Sequence, residues 1–338
     1  MTEAYWLPIL WAGLVAFAVL AYVVLDGFDL GLGILFPVEK GEGDRDVMVN
    51  SVAPVWDGNE TWLIFGGAAL YGVFPVAYST ILPALYPTII AMLLALIFRG
   101  VAFEFRFRAH TPTGRRQWDL AFWLGSTTAA LAQGLTLGGL MQGIKVQDGQ
   151  YAGGWWDWLT PFTVLCGIAV VIGYGLLGAC WLVWRTEGDL QRRSRRHASV
   201  LGALMLAMIV VVSLWTPQLH LHYLRHWLVW PRVLIVSPVP VLVAALAILF
   251  FWSLKRDHHL TPLLCALGWF FLSFSGLGIS LWPWIVPPSI DIWQASSPPT
   301  SQIFLLVGSA VLVPTILAYT AYAYWVFRGK IGADTHYH

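Results

Sequence analysis

Long runs of apolar residues limit most strongly how this chain can fold. Nine runs each approach or exceed the roughly 20 residues that an α-helix needs to cross a bilayer. Hydrophobic residues make up 58% and charged residues 11% of the 338 residues, a composition far from that of water-soluble domains. We therefore predict an all-α polytopic membrane protein, with residues 1–338 forming a single integral membrane domain in the lipid bilayer. The predicted transmembrane helices are 7–36, 51–74, 78–103, 119–142, 161–184, 199–216, 232–254, 261–286 and 302–327.

The distribution of Lys and Arg residues predicts the orientation in the membrane. Of the 19 Lys and Arg residues, only Lys145, Arg225 and Arg232 fall in the connections that we assign to the outside. Because connections rich in Lys and Arg stay in the cytoplasm, we predict an outside N-terminus and a cytoplasmic C-terminus. A net charge of +1 and the lack of a basic stripe argue against nucleic acid as a partner.

Four carboxylates interrupt the first two apolar runs. Asp26 and Asp29 lie near the end of the first run, and Asp57 and Glu60 lie near the start of the second. In each pair the residues are three positions apart and should share a helix face. Asp29 and Asp57 are equally distant from a polar loop predicted over 37–49. We therefore expect the acids to meet at one depth, roughly 12 Å inside the membrane at about 1.5 Å per residue.

Acids inside membrane helices are rare and are a functional hypothesis by default. Four carboxyl groups near the only intramembrane cation, Arg99, cannot all be ionised cheaply, so the group should exchange protons. We interpret it as a proton-transfer site with Asp57 as the first candidate, Asp29 as the second and Asp26 in support. Two alternatives stay open. One is a static polar network in an assembly subunit, with Trp56 as packing, and the other is a proton-coupled transporter that binds a cation or substrate.

Glu104 lies at the cytoplasmic end of the third predicted helix, in a segment that also holds Arg108. An acid among arginines at this level is usually half of a solvated ion pair, but a proton inlet would also begin there. We therefore include Glu104 among the proton-transfer candidates. Glu60, Arg99, Arg108 and Trp56 are assigned to a supporting polar network.

The nine histidines all fall in predicted connections or in the C-terminal tail, which includes His336 and His338. None lies in a predicted helix interior, where an axial haem ligand of a helical bundle would be placed. We therefore predict no haem ligand in this chain. The spacing of His220, His222 and His226 would allow chelation, but no second ligand set accompanies them, so we predict no metal site.

Four stretches of the chain together resemble subunit II of the bacterial cytochrome bd-type quinol oxidases. They are DGFDLG at 26–31, WDGNETWL at 56–63, FRGV at 98–101 and LAYTAY at 317–322. The likeness covers almost the whole length, and the stretches are much more specific together than singly. Cyanide-insensitive members are similar as well, and these residues do not separate the branches.

This resemblance implies a role in a terminal oxidase of the bacterial plasma (inner) membrane. The complex would oxidise ubiquinol or another quinol and reduce dioxygen to water, and this chain would be inactive alone. The b-type and d-type haems and the quinol site would belong to the larger subunit I. Subunit II would support haem assembly there and deliver cytoplasmic protons to the oxygen-reducing site.

The resemblance also assigns residues and architecture. Asp57 corresponds to an acid that lines the proton path, and Glu104 with Arg108 corresponds to the cytoplasmic mouth of that path. Glu60 falls where glutamine also occurs, which argues against an obligatory charge. The implied fold is two four-helix bundles with a peripheral ninth helix. A structural quinone in this subunit and small single-helix partner subunits are left open.

Overall fold

The computed structural model describes residues 2–39, 41–220, 223, 227, 230 and 233–332. Within them the chain forms α-helices and two short antiparallel hairpins, β1–β2 (Val146–Gln147, Gln150–Tyr151) and β3–β4 (Trp284–Val286, Ile290–Asp291). The helices are α1 (Thr2–Leu35), α2 (Glu42–Asn50), α3 (Trp56–Val73), α4 (Pro75–Arg108), α5 (Pro112–Gln142), α6 (Pro161–Arg185), α7 (Gly188–Leu219), α8 (Val233–Val236), α9 (Pro238–Lys255), α10 (Thr261–Leu281), α11 (Ile292–Ala295) and α12 (Pro299–Val326).

Each of the nine apolar runs coincides with one long helix: α1, α3, α4, α5, α6, α7, α9, α10 or α12. In the described ranges, seven helices are long and apolar enough to cross a membrane. The helices α3 and α5 are not among the seven, because polar residues interrupt their apolar sequence. The all-α fold and its several membrane-crossing helices agree with the prediction from the sequence.

Several helices extend beyond the apolar runs into charged sequence. The helix α7 begins at Gly188, well before the predicted start at 199, and α4 continues to Arg108. His197, which we expected in a connection, therefore lies inside α7. Hydropathy marks only the apolar part of a helix, whereas the backbone hydrogen bonds of the helix continue into water.

The stretch 37–49, expected to be a polar loop, contains the helix α2. The apolar residues Val47, Met48 and Val49 of this helix are buried, and its carboxylates pair with arginines of α4, α5 and α7. Turns over 51–55 replace the predicted start of the second long helix. A short amphipathic helix escapes a search for apolar runs because only one of its faces is apolar.

The helices α1, α5 and α6 form the centre of the molecule. The helix α1 packs against α3, α5 and α6, while α4 packs against α5. A Cβ atom on Gly31 would clash with the backbone of Tyr174 and Gly178, so α1 and α6 can approach closely only with glycine at this crossing. A second group consists of α6, α7, α9 and α10, and α12 lies outermost, against α3 and α1.

Candidate functional site

Arg99 lies at the centre of a buried ionic cluster formed by α1, α3 and α4. Its Nη2 atom lies 2.8 Å from Asp26 Oδ1 and 3.7 Å from Asp29 Oδ2, and its Nη1 donates to Glu60 Oε1 at 2.5 Å. The side chains of Arg99, Asp26 and Asp29 are fully buried, whereas that of Glu60 is 24% exposed. Three carboxyl groups thus share one guanidinium, so the cluster can take up or release protons without losing its cation. We call these four residues the Arg99 cluster.

Aromatic rings cover the guanidinium of Arg99. The rings of Trp56 and Phe103 stack 5.1 Å apart, and Arg99 Cζ lies 5.8 Å and 5.5 Å from their centroids. A cation over an aromatic face is stabilised by the ring quadrupole. A Cβ at Gly100 would lie 3.6 Å from the indole, an ordinary van der Waals contact, so the indole packs directly over this position of α4. Trp56 therefore supports the site by holding Arg99 in place.

Asp29 is held by an amide that the sequence did not single out. Asn59 Nδ2 donates to Asp29 Oδ2 at 2.8 Å, and the Tyr324 hydroxyl donates to Asn59 Oδ1 at 3.0 Å. In the described part of the chain, Asp29 Oδ1 has no hydrogen-bond partner. A buried carboxylate oxygen without a donor is costly, so this atom is where a proton or a water molecule is expected to bind.

A further chain of neutral polar groups lies beside the cluster. Gln133 Nε2 donates to the Tyr22 hydroxyl at 2.9 Å, and the Tyr174 hydroxyl donates to Gln133 Oε1 at 2.6 Å. Tyr22 lies one helical turn before Asp26 on α1, so it is a neighbour of that acid on the helix surface. The search for intramembrane charges missed these residues because none of them is charged. The four-residue spacing between Tyr22 and Asp26 could have indicated from the sequence that Tyr22 lies beside this acid.

Asp57 is separated from the Arg99 cluster, which corrects the expectation that all four acids meet. Its side chain is exposed on α3, and Asn59 rather than Asp57 faces Asp29. Glu60, one turn after Asp57, reaches Arg99 instead. Successive residues of a helix point about 100° apart, and the fully buried Asn59 and Trp62 set the rotation of α3 that turns Asp57 outward.

Glu104 and Arg108 lie one turn apart near the end of α4. Their charged groups are 3.7 Å apart, with side chains 45% and 71% exposed. Among the described residues, Glu104 pairs with Arg108 only, and the structure does not bring it to the Arg99 cluster. Such an exposed pair contributes about 0–1 kcal/mol to stability.

A second ionic region surrounds α2. Arg106, which is 1% exposed, donates to Asp46 Oδ1 and to Asp119 Oδ1, both at 2.6 Å. Asp119 also accepts from Arg45 at 2.8 Å, and Asp46 also pairs with Arg115. We call this region the α2 ionic network, and its members are Glu39, Glu42, Asp44, Arg45, Asp46, Arg106, Arg115, Asp119 and Arg193. The sequence analysis did not predict it, since its members are scattered over four separate segments.

In the described ranges the histidines lie in connections or next to helix ends, except His197, which lies inside α7. His220 Nε2 lies 2.6 Å from the Gln142 carbonyl oxygen, and His197 Nδ1 lies 3.8 Å from Glu39. His222 and His226 of the possible chelating motif, and His336 and His338 of the tail, lie outside the described residues. Within the part that is described, no three potential metal ligands come together. The absence of haem ligands from this chain stays a prediction.

These features define a multi-pass α-helical membrane protein with a buried ionic cluster in which three carboxyl groups share one guanidinium. The profile of the family "Cytochrome bd terminal oxidase subunit II" matches residues 7–327, and the chain therefore belongs to that family. The resemblance found in the sequence is thus confirmed.

Relatives of this chain share most of its length. The chain is 29% identical to "Cytochrome bd-I ubiquinol oxidase subunit 2" of Escherichia coli strain K12, over 96% of this chain and 95% of the relative. It is 28% identical to "Cytochrome bd ubiquinol oxidase subunit 2" of Bacillus subtilis strain 168, over 95% and 96%. A chain of the bd oxidase from Geobacillus thermodenitrificans has the same fold, with a TM-score of 0.78, 16% identity and coverage of 97% and 99%.

Membership of the family defines the setting of the molecule. It is a multi-pass protein of the bacterial inner membrane and part of a respiratory quinol oxidase, a haem-dependent oxidoreductase complex. As a second subunit it implies a partner subunit I.

Proposed function

We propose that this chain supports haem assembly in subunit I and delivers cytoplasmic protons to the oxygen-reducing site, and that it is inactive alone. The observation that carries the proposal is the Arg99 cluster, in which three carboxyl groups share one buried guanidinium. In this proposal the b-type and d-type haems and the site for ubiquinol belong to subunit I. A structural quinone in this subunit and small single-helix subunits stay predictions of the resemblance.

The proton route that the geometry supports runs from the buried acids through Glu60 to Asp57. Glu60 accepts a hydrogen bond from Arg99 and lies one helical turn after Asp57, which makes the two acids neighbours on α3. Asp26 and Asp29 supply protons from the inner side of Arg99. Glu104 with Arg108 marks a cytoplasmic mouth at the end of α4.

The outer face of α3 is where protons would leave this subunit. Asp57 shares this face with Ile64 and Tyr71, which follow it at seven-residue intervals and are 72% and 66% exposed. A carboxylate facing hydrocarbon is costly, so an apolar face that carries one requires a polypeptide partner. We assign this face to subunit I, with Asp57 as the last acid before the oxygen-reducing site.

The proposal includes a topology of nine transmembrane helices, with α3 and α5 added to the seven that are apolar enough by composition. The N-terminus is outside and the C-terminus is cytoplasmic, as the Lys and Arg distribution favours. The first four long helices form one bundle, the next four form a second, and α12 is the peripheral ninth helix. The packing of α4 on α5 and of α9 on α10 supports this division.

The substitution Asp57→Asn tests the proposal in the purified oxidase complex. It keeps the size of the side chain and removes the proton-exchanging group, so quinol:oxygen turnover per d-type haem should fall about tenfold or more, with haem content preserved. Asp148→Asn, an exposed acid of the β1–β2 hairpin, is the matched control and should leave turnover unchanged. Full haem content with full turnover in Asp57→Asn would favour the static assembly subunit instead. Solute uptake by the isolated chain in liposomes would favour the transporter.

A further inference from the structure

A narrow crevice lies where the ends of α6 and α12 meet the turn between α2 and α3. Its polar side chains are Ser51, Arg185 and Tyr324, and its apolar walls include Val55 and Trp181. Ser51 accepts a hydrogen bond from Trp181 Nε1 at 3.1 Å. This end of the molecule is cytoplasmic in the proposed topology.

The crevice has the size and the lining of a water site. Its volume is about 10 Å³, which matches the roughly 10–15 Å³ that a single water molecule requires. Apolar cavities of this size stay dry, whereas a cavity with two to four polar groups holds water. A hydroxyl, a guanidinium and a phenol line this one.

One of the lining residues also reaches the Arg99 cluster. The Tyr324 hydroxyl donates to Asn59 Oδ1 at 3.0 Å, and Asn59 donates to Asp29 Oδ2 at 2.8 Å. The ring of Tyr324 lies edge-on to those of Phe28 and Trp181, with centroids 6.5 Å and 6.2 Å away. The Tyr324 hydroxyl and Asn59 therefore form a polar strip through an otherwise aromatic wall, from the crevice to Asp29.

The C-terminal segment holds the mouth of the crevice in place. Arg185 Nη2 donates to the Phe327 carbonyl at 2.5 Å, Ile331 N donates to the Arg185 carbonyl at 2.7 Å, and Lys330 Nζ donates to the Thr186 carbonyl at 2.8 Å. Burial lowers the pKa of the Lys330 ammonium, which is consistent with its packed position. Three bonds thus tie the end of α12 to the end of α6.

We propose that this crevice binds an ordered water molecule and is an inlet through which cytoplasmic protons reach Asp29, with Tyr324 lining the crevice and Asn59 linking Tyr324 to Asp29. The inference rests on the proposed function, because it names where protons join the Arg99 cluster. It provides an inlet separate from the one proposed at Glu104. The site is built from the polar side chains of two helices and a turn.

The chemical step is a proton transfer between oxygen atoms. A hydronium ion at the Tyr324–Asn59 strip gives one proton to the ionised Asp29 at Oδ1, and a neutral water molecule remains. One O–H bond breaks, one O–H bond forms, and no electrons move between groups. Asp29 Oδ2 stays bound to Asn59 during the step.

Two substitutions test the inlet in the purified two-subunit oxidase. Tyr324→Phe removes the hydroxyl and makes the inner end apolar, and Val55→Leu fills the crevice with one more methylene group. We expect turnover per d-type haem to fall about tenfold with Tyr324→Phe and about threefold with Val55→Leu. The loss should grow as the pH rises and protons become scarce, and turnover should show a larger solvent isotope effect in D₂O. A purely structural defect would lower turnover equally at every pH.

The control is Tyr223→Phe, which also loses one buried hydroxyl bond, at 2.9 Å to the Met141 carbonyl, and should keep normal turnover. The variant Asp29→Asn distinguishes failure of the inlet from failure of the proposed function. If Asp29→Asn slows turnover while Tyr324→Phe and Val55→Leu leave its rate and pH dependence unchanged, the inlet is refuted and the proposed function survives. If Asp29→Asn has no effect, the proposed function itself fails. If Tyr324→Phe lowers haem content, the inlet is tested with Val55→Leu instead, by the same measurements of turnover, pH dependence and solvent isotope effect.

Discussion

Two ionic regions in this molecule use the same kinds of side chains in different proportions. In the Arg99 cluster, three carboxyl groups share one guanidinium, and Asp29 Oδ1 has no hydrogen-bond partner in the described ranges. In the α2 ionic network, Asp46 and Asp119 each contact two arginines. In the first region the carboxyl groups outnumber the cation three to one, whereas in the second each of these two carboxylates is matched by two cations.

This difference in the ratio of carboxyl groups to cations distinguishes a region suited to proton transfer from a region that holds helices together. A balanced network beside solvent can remain fully ionised, because each charge has a partner and water screens the rest. A buried cluster with excess acid must adjust its number of protons to remain buried. We therefore expect substitutions in the Arg99 cluster to change turnover or assembly, and substitutions in the α2 ionic network to change stability alone.

Removal of the central guanidinium should have the largest effect. Arg99→Leu leaves three carboxyl groups around Leu with no cation, and loss of one partner of a buried ion pair destabilises by about 3–5 kcal/mol. The yield of the complex and its haem content should fall to a small fraction of normal. Both are measured by purification and by the reduced-minus-oxidised spectrum, and a normal yield with normal haem content would contradict the expectation.

The same substitution in the α2 ionic network should be milder. In Arg106→Leu, Asp46 keeps Arg115 and Asp119 keeps Arg45, so the loss should be about 1–3 kcal/mol. The complex should unfold at a lower temperature in a thermal scan and still turn over normally per haem. Loss of turnover in the assembled complex would show that the α2 ionic network takes part in the chemistry, and the proposed difference between the two regions would then be wrong.

Neutralising one acid in each region gives the most direct comparison. Asp29→Asn removes a buried carboxyl group whose Oδ1 has no hydrogen-bond partner in the described ranges, so turnover per d-type haem should fall about tenfold. Asp46→Asn, measured in the same assay, should keep turnover within about twofold of normal, since screened ion pairs near water contribute little. Equal losses in both variants would mean that the imbalance of charge is not what marks the functional region.

The smallest effect is expected for the exposed acid on α4. Glu104→Gln removes half of an exposed ion pair, so stability should change by at most about 1 kcal/mol. Turnover should fall less than about twofold, because the crevice at Tyr324, as the principal inlet, would still supply protons. A large loss in Glu104→Gln, with normal turnover in Tyr324→Phe, would place the principal inlet at Glu104.

The apolar sequence was sufficient to predict the helical membrane fold and the positions of the long helices. Helix formation in apolar runs depends on nearby residues, so it can be read locally. Gly27 and Gly31 are four residues apart, a local spacing that permits close helix approach, and both lie against α6. The membership of Asp26, Asp29, Glu60 and Arg99 in one cluster followed from the rarity of charges in such runs.

The tertiary structure alone decided which polar groups meet. The rotation of α3 places Asn59 against Asp29 and turns Asp57 outward, although the stretch 56–62 carries polar residues on several faces and so fixes no orientation by itself. Tyr324 joins Asn59 across 265 residues of chain, and Arg106 joins acids from α2 and α5. Local patterns record where a helix forms, whereas the partners of its side chains depend on the rotation and packing of helices that are distant in sequence.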